Sequence, residues 1–398
     1  MSVFKNYLTA FLILPCLATG QAVPSQGSGS ANRTVLQEEV DKVILPVMKE
    51  FSVPGIAVAV TINGEHYFYN YGVASKQTQD AVTSETVFEL GSISKTFTAT
   101  LASYAKVEGK MSFSDHISKY ITALKGSAFD RITVLNAATH TTGGLPLQFP
   151  DNIKDNRRAI KYLKTWQPKS EPGTDRSYSN PGTGLLGMVA ANSLDQSFEK
   201  AMEKIIFPAL GMSSTYINVP KSRLKNYAYG YSKNDEPIRV NPGPMASEAY
   251  GIKSTATDMI RYVDANLQIL RLNKKIESAI TNAHIGYFKV GEMTQDLIWE
   301  QYPYPAELSQ LLAGNSPKII FEQNPAAKID AALRQDANVL INKTGSTNGF
   351  GGYVAFVPSR KIGIVILANK NYPIHARVTI AYQILNQLDR LAPLKTAK

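Results

Sequence analysis

The sequence predicts an α/β protein of the α+β type: an antiparallel β-sheet flanked by N- and C-terminal helices, plus an inserted, mostly helical domain. Three observations carry this. Near the N-terminus, Ile56–Ile62 and His66–Val73 are joined by the turn pair Asn63-Gly64. Near the C-terminus, Tyr353–Val357 and Ile362–Ala368 are β-rich runs joined by Pro358-Ser359-Arg360-Lys361. Between them, over roughly 92 to 205, apolar residues recur at helical spacing and strand signals are few. Strands at both ends of one chain are expected to pair in one sheet. The α/β part then spans about 34–90 and 206–398, and the helical part about 91–205.

In chain order, Lys5 and the apolar run Tyr7–Leu14, followed by Gly20-Gln21-Ala22, read as a secretory signal over 1–22. The run is too short to span a bilayer of ~30 Å. Cys16, the single cysteine, would leave with it, so the mature chain, 23–398, would carry no disulfide despite export. Residues 23–33 are Ser/Gly-rich and read as a flexible leader. A helix is expected near Thr34, where Thr34 and Gln37 have capping-box spacing and Leu36, Val40, Val43, Ile44 and Val47 share one face. Asn63-Gly64 predicts a hairpin because both residues tolerate positive φ. A long amphipathic helix is expected over about Ala376–Leu388. The stretch 270–335 gives no clear pattern.

Composition limits the function classes. The net charge is +10, from 42 Lys+Arg against 32 Asp+Glu, but the basic residues form no run. That is a solvated basic surface rather than a nucleic-acid footprint. The five histidines, His66, His116, His140, His284 and His375, have no partner at metal-ligand spacing. No glycine-rich loop opens a helix as a phosphate site would. No metal and no cofactor are implied, and nothing demands more than a monomer.

Gly91-Ser92-Ile93-Ser94-Lys95 follows the strand-like Thr86–Leu90 and opens a helix whose core face holds Ile93, Phe97, Leu101 and Tyr104. Three residues apart on a helix, Ser92 and Lys95 are neighbours. A serine hydroxyl needs a base to become a nucleophile. Lysine serves only if burial or a nearby cation lowers its pKa from ~10.4. Ser-x-x-Lys alone is weak, since it begins at Ser2, Ser92, Ser103, Ser197 and Ser222. Tyr178-Ser179-Asn180, between Pro172-Gly173 and Pro181-Gly182, lies in a loop. Tyr178 could move protons if a cation lowered its pKa, and Asn180 could bind an amide. Tyr216-Ile217-Asn218 repeats that pattern where a strand is expected. Lys343-Thr344-Gly345 occurs once, on a strand, where Lys343 and Gly345 share a face and the glycine admits a close backbone approach by substrate.

The three motifs in this order resemble the active-site serine penicillin-recognising enzymes, and Tyr-Ser-Asn in the middle is similar to class C β-lactamases, the cephalosporinases. The resemblance runs over the mature chain, through Phe88-Glu89-Leu90-Gly91-Ser92, Gly143-Gly144-Leu145-Pro146, Glu248-Ala249-Tyr250-Gly251 and Asn369-Lys370-Asn371-Tyr372-Pro373. It implies a periplasmic enzyme that opens penicillins and cephalosporins through an acyl-enzyme on Ser92. Lys95 and Tyr178 share the base role. Lys343 holds Tyr178 ionised and draws in the substrate carboxylate, and the N–H groups of Ser92 and Ser346 bind the oxyanion. By the same resemblance Gln148, Asn180 and Tyr250 meet the antibiotic side chain, while Thr344, Gly345, Asn371 and Arg377 lie at its carboxylate end. D,D-peptidases, esterases and non-catalytic penicillin sensors share the motifs and remain alternatives. His140, Thr142, Ile298, Asn348 and Ile374 depart from common family choices.

Overall fold

A computed structural model describes residues 27–329 and 338–392. The signal expected over 1–22, and Cys16 with it, lies outside the described residues. Helix α1, Gly27–Glu50, is longer than its apolar pattern predicts. Residues 27–33, expected as a flexible leader, are helical, and Thr34 is interior to the helix rather than its cap. Once a nucleus exists, each added turn costs little. The nucleus is the face formed by Leu36, Val40 and Ile44, all at most 1% exposed.

The hairpin forms as its turn predicts. Strand β1, Gly55–Ile62, pairs with β2, Glu65–Gly72. Asn63 and Gly64 have φ of 52° and 89°, the two positive angles that a tight hairpin turn requires. The other strands of the large sheet are β3 Phe288–Val290, β4 Met293–Gln295, β5 Glu300–Pro303, β6 Ala327–Lys328, β7 Val339–Ser346, β8 Gly351–Val357 and β9 Ile362–Ala368. Their order is β6-β3-β4-β5-β7-β8-β9-β1-β2. Every pairing is antiparallel. The N-terminal hairpin joins the C-terminal strands through β1 and β9, with Ile56 opposite Ala368. Among the described residues, no strand between Gly72 and Phe288 enters this sheet.

Helices cover both faces. On β8, Gly351 faces Arg377 of the C-terminal helix, which spans Ile374–Leu391 and packs with α1. Phe356, five residues along and therefore on the opposite face, meets Trp299 edge to face, and Trp299 in turn stacks on Tyr262 of helix Ala256–Asn266. The intervening stretch supplies helix α2, Ser94–Val107, and helix α3, Asn180–Ser193, which pack on each other. Tyr216, expected on a strand, makes only a single β-bridge to Lys253.

The stretch without a clear pattern, 270–335, supplies four short strands of the sheet edge and a buried polar segment. Ile298 adopts φ of 67°, a region that disfavours β-branched residues. Its N–H donates to Ala138 O at 2.8 Å. Asp296 is fully buried, and neither carboxyl oxygen has a hydrogen-bond partner. Burial, reinforced by Glu300, raises its pKa well above the carboxylate range. The unfolded chain ionises this group near pH 4 and the folded chain does not, so stability falls as pH rises above that point. Asp296→Asn is expected to stabilise the protein by on the order of 1–3 kcal/mol. Thermal unfolding should show a larger gain at pH 8 than at pH 5, and equal gains at both would contradict it.

Candidate active site

The nucleophile loop is held by backbone contact. Phe88–Glu89 pairs with Lys253–Ser254, a single 3₁₀ turn covers Gly91–Ile93, and α2 follows. Gly91 has φ of 52°, and a Cβ there would lie 2.5 Å from Ser346 N. A Cβ on Gly345 would collide with the Leu90 carbonyl. Gly345 was expected to let substrate approach the backbone, and the chain segment that carries Ser92 also demands a glycine here. These two glycines let Leu90–Gly91 lie flush against Gly345–Ser346, so the backbone entering Ser92 packs on that of Ser346. If the Ser92 and Ser346 N–H groups bind the oxyanion as the resemblance implies, Gly91→Ala lowers kcat by about 10²-fold or more, the value of one oxyanion donor. Steady-state rates beside a melting curve would check this, and near-normal kcat would refute it.

Lys95 is completely buried, and its Nζ donates to Ser92 Oγ at 3.0 Å and to Ala249 O at 2.7 Å. Burial, aided by the Lys343 charge and opposed by Tyr178, brings its pKa down to about 8. Tyr178 lies in the loop between the strand Asp175–Ser177 and α3, whose N-cap is Ser179. Its ring is flanked by Lys343 Nζ at 4.9 Å and Lys95 Nζ at 5.3 Å from the ring centre. Burial alone would raise the phenol, but Lys343 and Lys95 outweigh it and hold it below the ordinary 10. Lys343 is 2% exposed. Burial works against its charge, yet Glu300 and Tyr178 keep its pKa above the usual lysine value.

Beneath these groups lies a network that the motifs do not announce. Glu300 Oε1 lies 3.5 Å from Lys343 Nζ and 3.0 Å from Arg176 Nη2. Arg176 also donates to Gln295 and to Ile319 O, and its guanidinium carbon sits 5.3 Å from the Tyr178 ring centre. His140, with φ of 59°, packs its ring 4.5 Å from that of Tyr178. Burial and the cations Arg176, Lys95 and Lys343 hold this imidazole neutral, well below its ordinary pKa. The site thus holds three cations around one phenol, with one carboxylate to balance them. That arrangement lowers the pKa of both the phenol and Lys95, the direction a proton-accepting group at this place would need.

Ser92, Gln148, Tyr178, Asn180, Tyr250, Lys343, Thr344, Gly345, Ser346 and Asn371 all line one cavity of about 870 Å³. Arg377 does not line it. That side chain is fully buried and donates to Gly345 O at 2.8 Å, Ser346 Oγ at 2.9 Å and Asn371 Oδ1 at 2.6 Å. The substrate contact expected of Arg377 is thus replaced by a brace on residues that do face the cavity. Among the described residues, no group of three or more His, Cys, Asp or Glu side chains could hold a metal. Arg176, Glu300 and His140 escaped the sequence reading as site residues, because only the fold brings them under Tyr178. Trp299-Glu300 was the nearest signal, and it sat in the stretch with no clear pattern.

The β-lactamase family model matches residues 40–389. A β-lactamase of Lysobacter lactamgenus is 45% identical over 97% of this chain and 99% of its own length. The crystal structure of a class C β-lactamase in complex with cefoxitin superposes with a TM-score of 0.87 at 52% identity, covering 89% of this chain and 99% of that one. A β-lactamase/D-alanine carboxypeptidase from Pseudomonas syringae superposes with a TM-score of 0.87 at 49% identity, over 88% and 99% of the two chains.

Proposed function

The chain belongs to the β-lactamase family, in its class C branch, and from that premise we propose that Ser92, Lys95, Tyr178 and Lys343 carry the reaction. The protein is a serine hydrolase that opens the β-lactam ring of penicillins and cephalosporins. The observation that carries the assignment of residues is the contact of Lys95 Nζ with Ser92 Oγ at 3.0 Å, beside a phenol flanked by two ammonium groups.

In this reading Ser92 Oγ attacks the lactam carbonyl, and its proton passes to Lys95 or Tyr178. The N–H groups of Ser92 and Ser346 hold the oxyanion, each donor worth about 10²–10³-fold. Collapse breaks the C–N bond, and the stored proton moves to the departing nitrogen. Water, deprotonated by Tyr178 or the released nitrogen, then attacks the ester, and Ser92 regains its proton. Lys343 and Thr344 receive the substrate carboxylate, with Asn371 beside them. Gln148, Asn180 and Tyr250 meet the side chain of the antibiotic. Arg377 acts through Ser346 and Asn371. The same reading has 1–22 removed on export and the mature chain acting as a periplasmic monomer. Among the described residues, no helix is long and apolar enough to cross a membrane.

Nitrocefin tests the reading. Sustained hydrolysis far beyond one equivalent is expected, with a single acyl adduct on Ser92 seen by intact mass. A burst that stops at one equivalent would overturn it. The likeness to the Pseudomonas syringae protein supports a second reading, D-alanine carboxypeptidase activity at the same site. Release of D-alanine from a D-alanyl-D-alanine peptide would reveal it.

A further inference from the structure

Glu89 lies three residues before the nucleophile, and the reaction scheme gives it no part. Its side chain is 3% exposed. Oε1 accepts the Tyr227 hydroxyl at 2.5 Å and the Val240 N–H at 2.7 Å. Oε2 accepts the Thr347 hydroxyl at 2.6 Å. One carboxyl group therefore joins the strand before Ser92, the chain at Tyr227, the loop at Val240 and the turn that follows β7. Val240 lines the active-site cavity, as do Thr347 and its neighbour Ser346.

The peptide of Ser346 is held from several directions. Gly91 packs against its backbone, and Arg377 grips Gly345 O and Ser346 Oγ from the helix side. Beyond Ser346, Thr347 is anchored through its N–H to Phe350 O at 3.0 Å and through its hydroxyl to Glu89. Arg377 and Glu89 grip adjacent residues, and the peptide that must present an N–H to the oxyanion lies next to both. An oxyanion donor works only if it is already aimed, because the gain is lost when the donor reorganises during reaction.

We propose that Glu89 is a positioning residue for the oxyanion hole: its carboxyl group ties the Ser346–Thr347 turn to the nucleophile strand and the Val240 loop. This rests on the reading above, in which Ser346 N–H binds the oxyanion. It predicts an effect on transition-state stabilisation rather than on substrate capture.

The test compares Glu89→Ala, Glu89→Gln and Thr347→Val in the full chain. Each is acylated with cefoxitin, and the ester carbonyl band is read by infrared difference spectroscopy beside kcat, KM and Tm. Glu89→Ala and Thr347→Val should move the band to higher frequency, since a less polarised carbonyl is stiffer. They should lower kcat about tenfold while KM changes less than about threefold. Glu89→Gln should restore most of both. Its amide oxygen can serve Val240 N–H and Tyr227, while the Thr347 hydroxyl turns to accept from its NH₂. Should Glu89→Ala not fold, Thr347→Val alone carries the test. An unchanged band with activity falling in step with Tm would overturn the proposal, as would a Gln variant as impaired as the Ala variant. Failure of the parent protein to form a Ser92 adduct would overturn the underlying reading instead, and intact mass shows this before any variant is compared.

Discussion

Ser92→Ala is expected to lower nitrocefin turnover by about 10⁴-fold or more, the cost seen when a serine nucleophile is removed from an intact site. The fold should survive. Ser92 Oγ accepts from the Lys95 ammonium, which retains Ala249 O in the variant. The side chain is half-buried and its loss opens no core cavity. What disappears is the covalent route, because the attacking oxygen itself is removed while Lys95 and Tyr178 stay in place. Initial rates with a melting curve and intact mass would check it. The variant should bind but form no adduct. Retained turnover would mean that the lactam is opened by another group.

Lys343→Met should lower kcat/KM by about 10²–10⁴-fold, the range for a disabled general base. It should also move the acidic limb of the pH profile upward. The sign follows from two groups. Lys343 holds the Tyr178 phenol down, so its removal lets that pKa rise. It also lowers Lys95, whose pKa of about 8 would rise as well. Either base must be deprotonated to act, so activity grows as pH rises through these values, and both shifts push that rise to higher pH. The pair titrates as a unit, and the limb belongs to both. Glu300 keeps Arg176 as its partner, so the variant leaves no carboxylate stranded in the interior. A profile of kcat/KM from pH 5 to 10 would decide. A limb that stays in place would show that the Lys343 charge does not tune the base.

The fold was legible where periodicity is long. The Asn63-Gly64 hairpin, the C-terminal strands and helices α2 and Ile374–Leu391 all carry patterns of five or more residues. The far sheet edge was not, since strands of two to four residues are too short to show alternation. Helix α1 was misread at its start, because the pattern marks only the part that packs. Gly345 was assigned to substrate approach; it lines the cavity, and the segment before Ser92 packs on it as well. A glycine reports that something comes close, but not what does.

The amino-acid sequence by itself determined the chemistry-bearing groups. Ser92 with Lys95 is a local relation, imposed by helical spacing, and Lys343-Thr344-Gly345 is a local strand. Ser-x-x-Lys occurs elsewhere in the chain, and what distinguishes the copy at Ser92 is what surrounds it. Only the tertiary structure placed Tyr178 between two ammonium groups, put Glu300 and Arg176 beneath it, and turned Arg377 inward. Those relations join residues far apart in sequence, and they set the pKa values because charge and burial act through space. The groups that react are written in short motifs, while the groups that tune and aim them are assembled by packing.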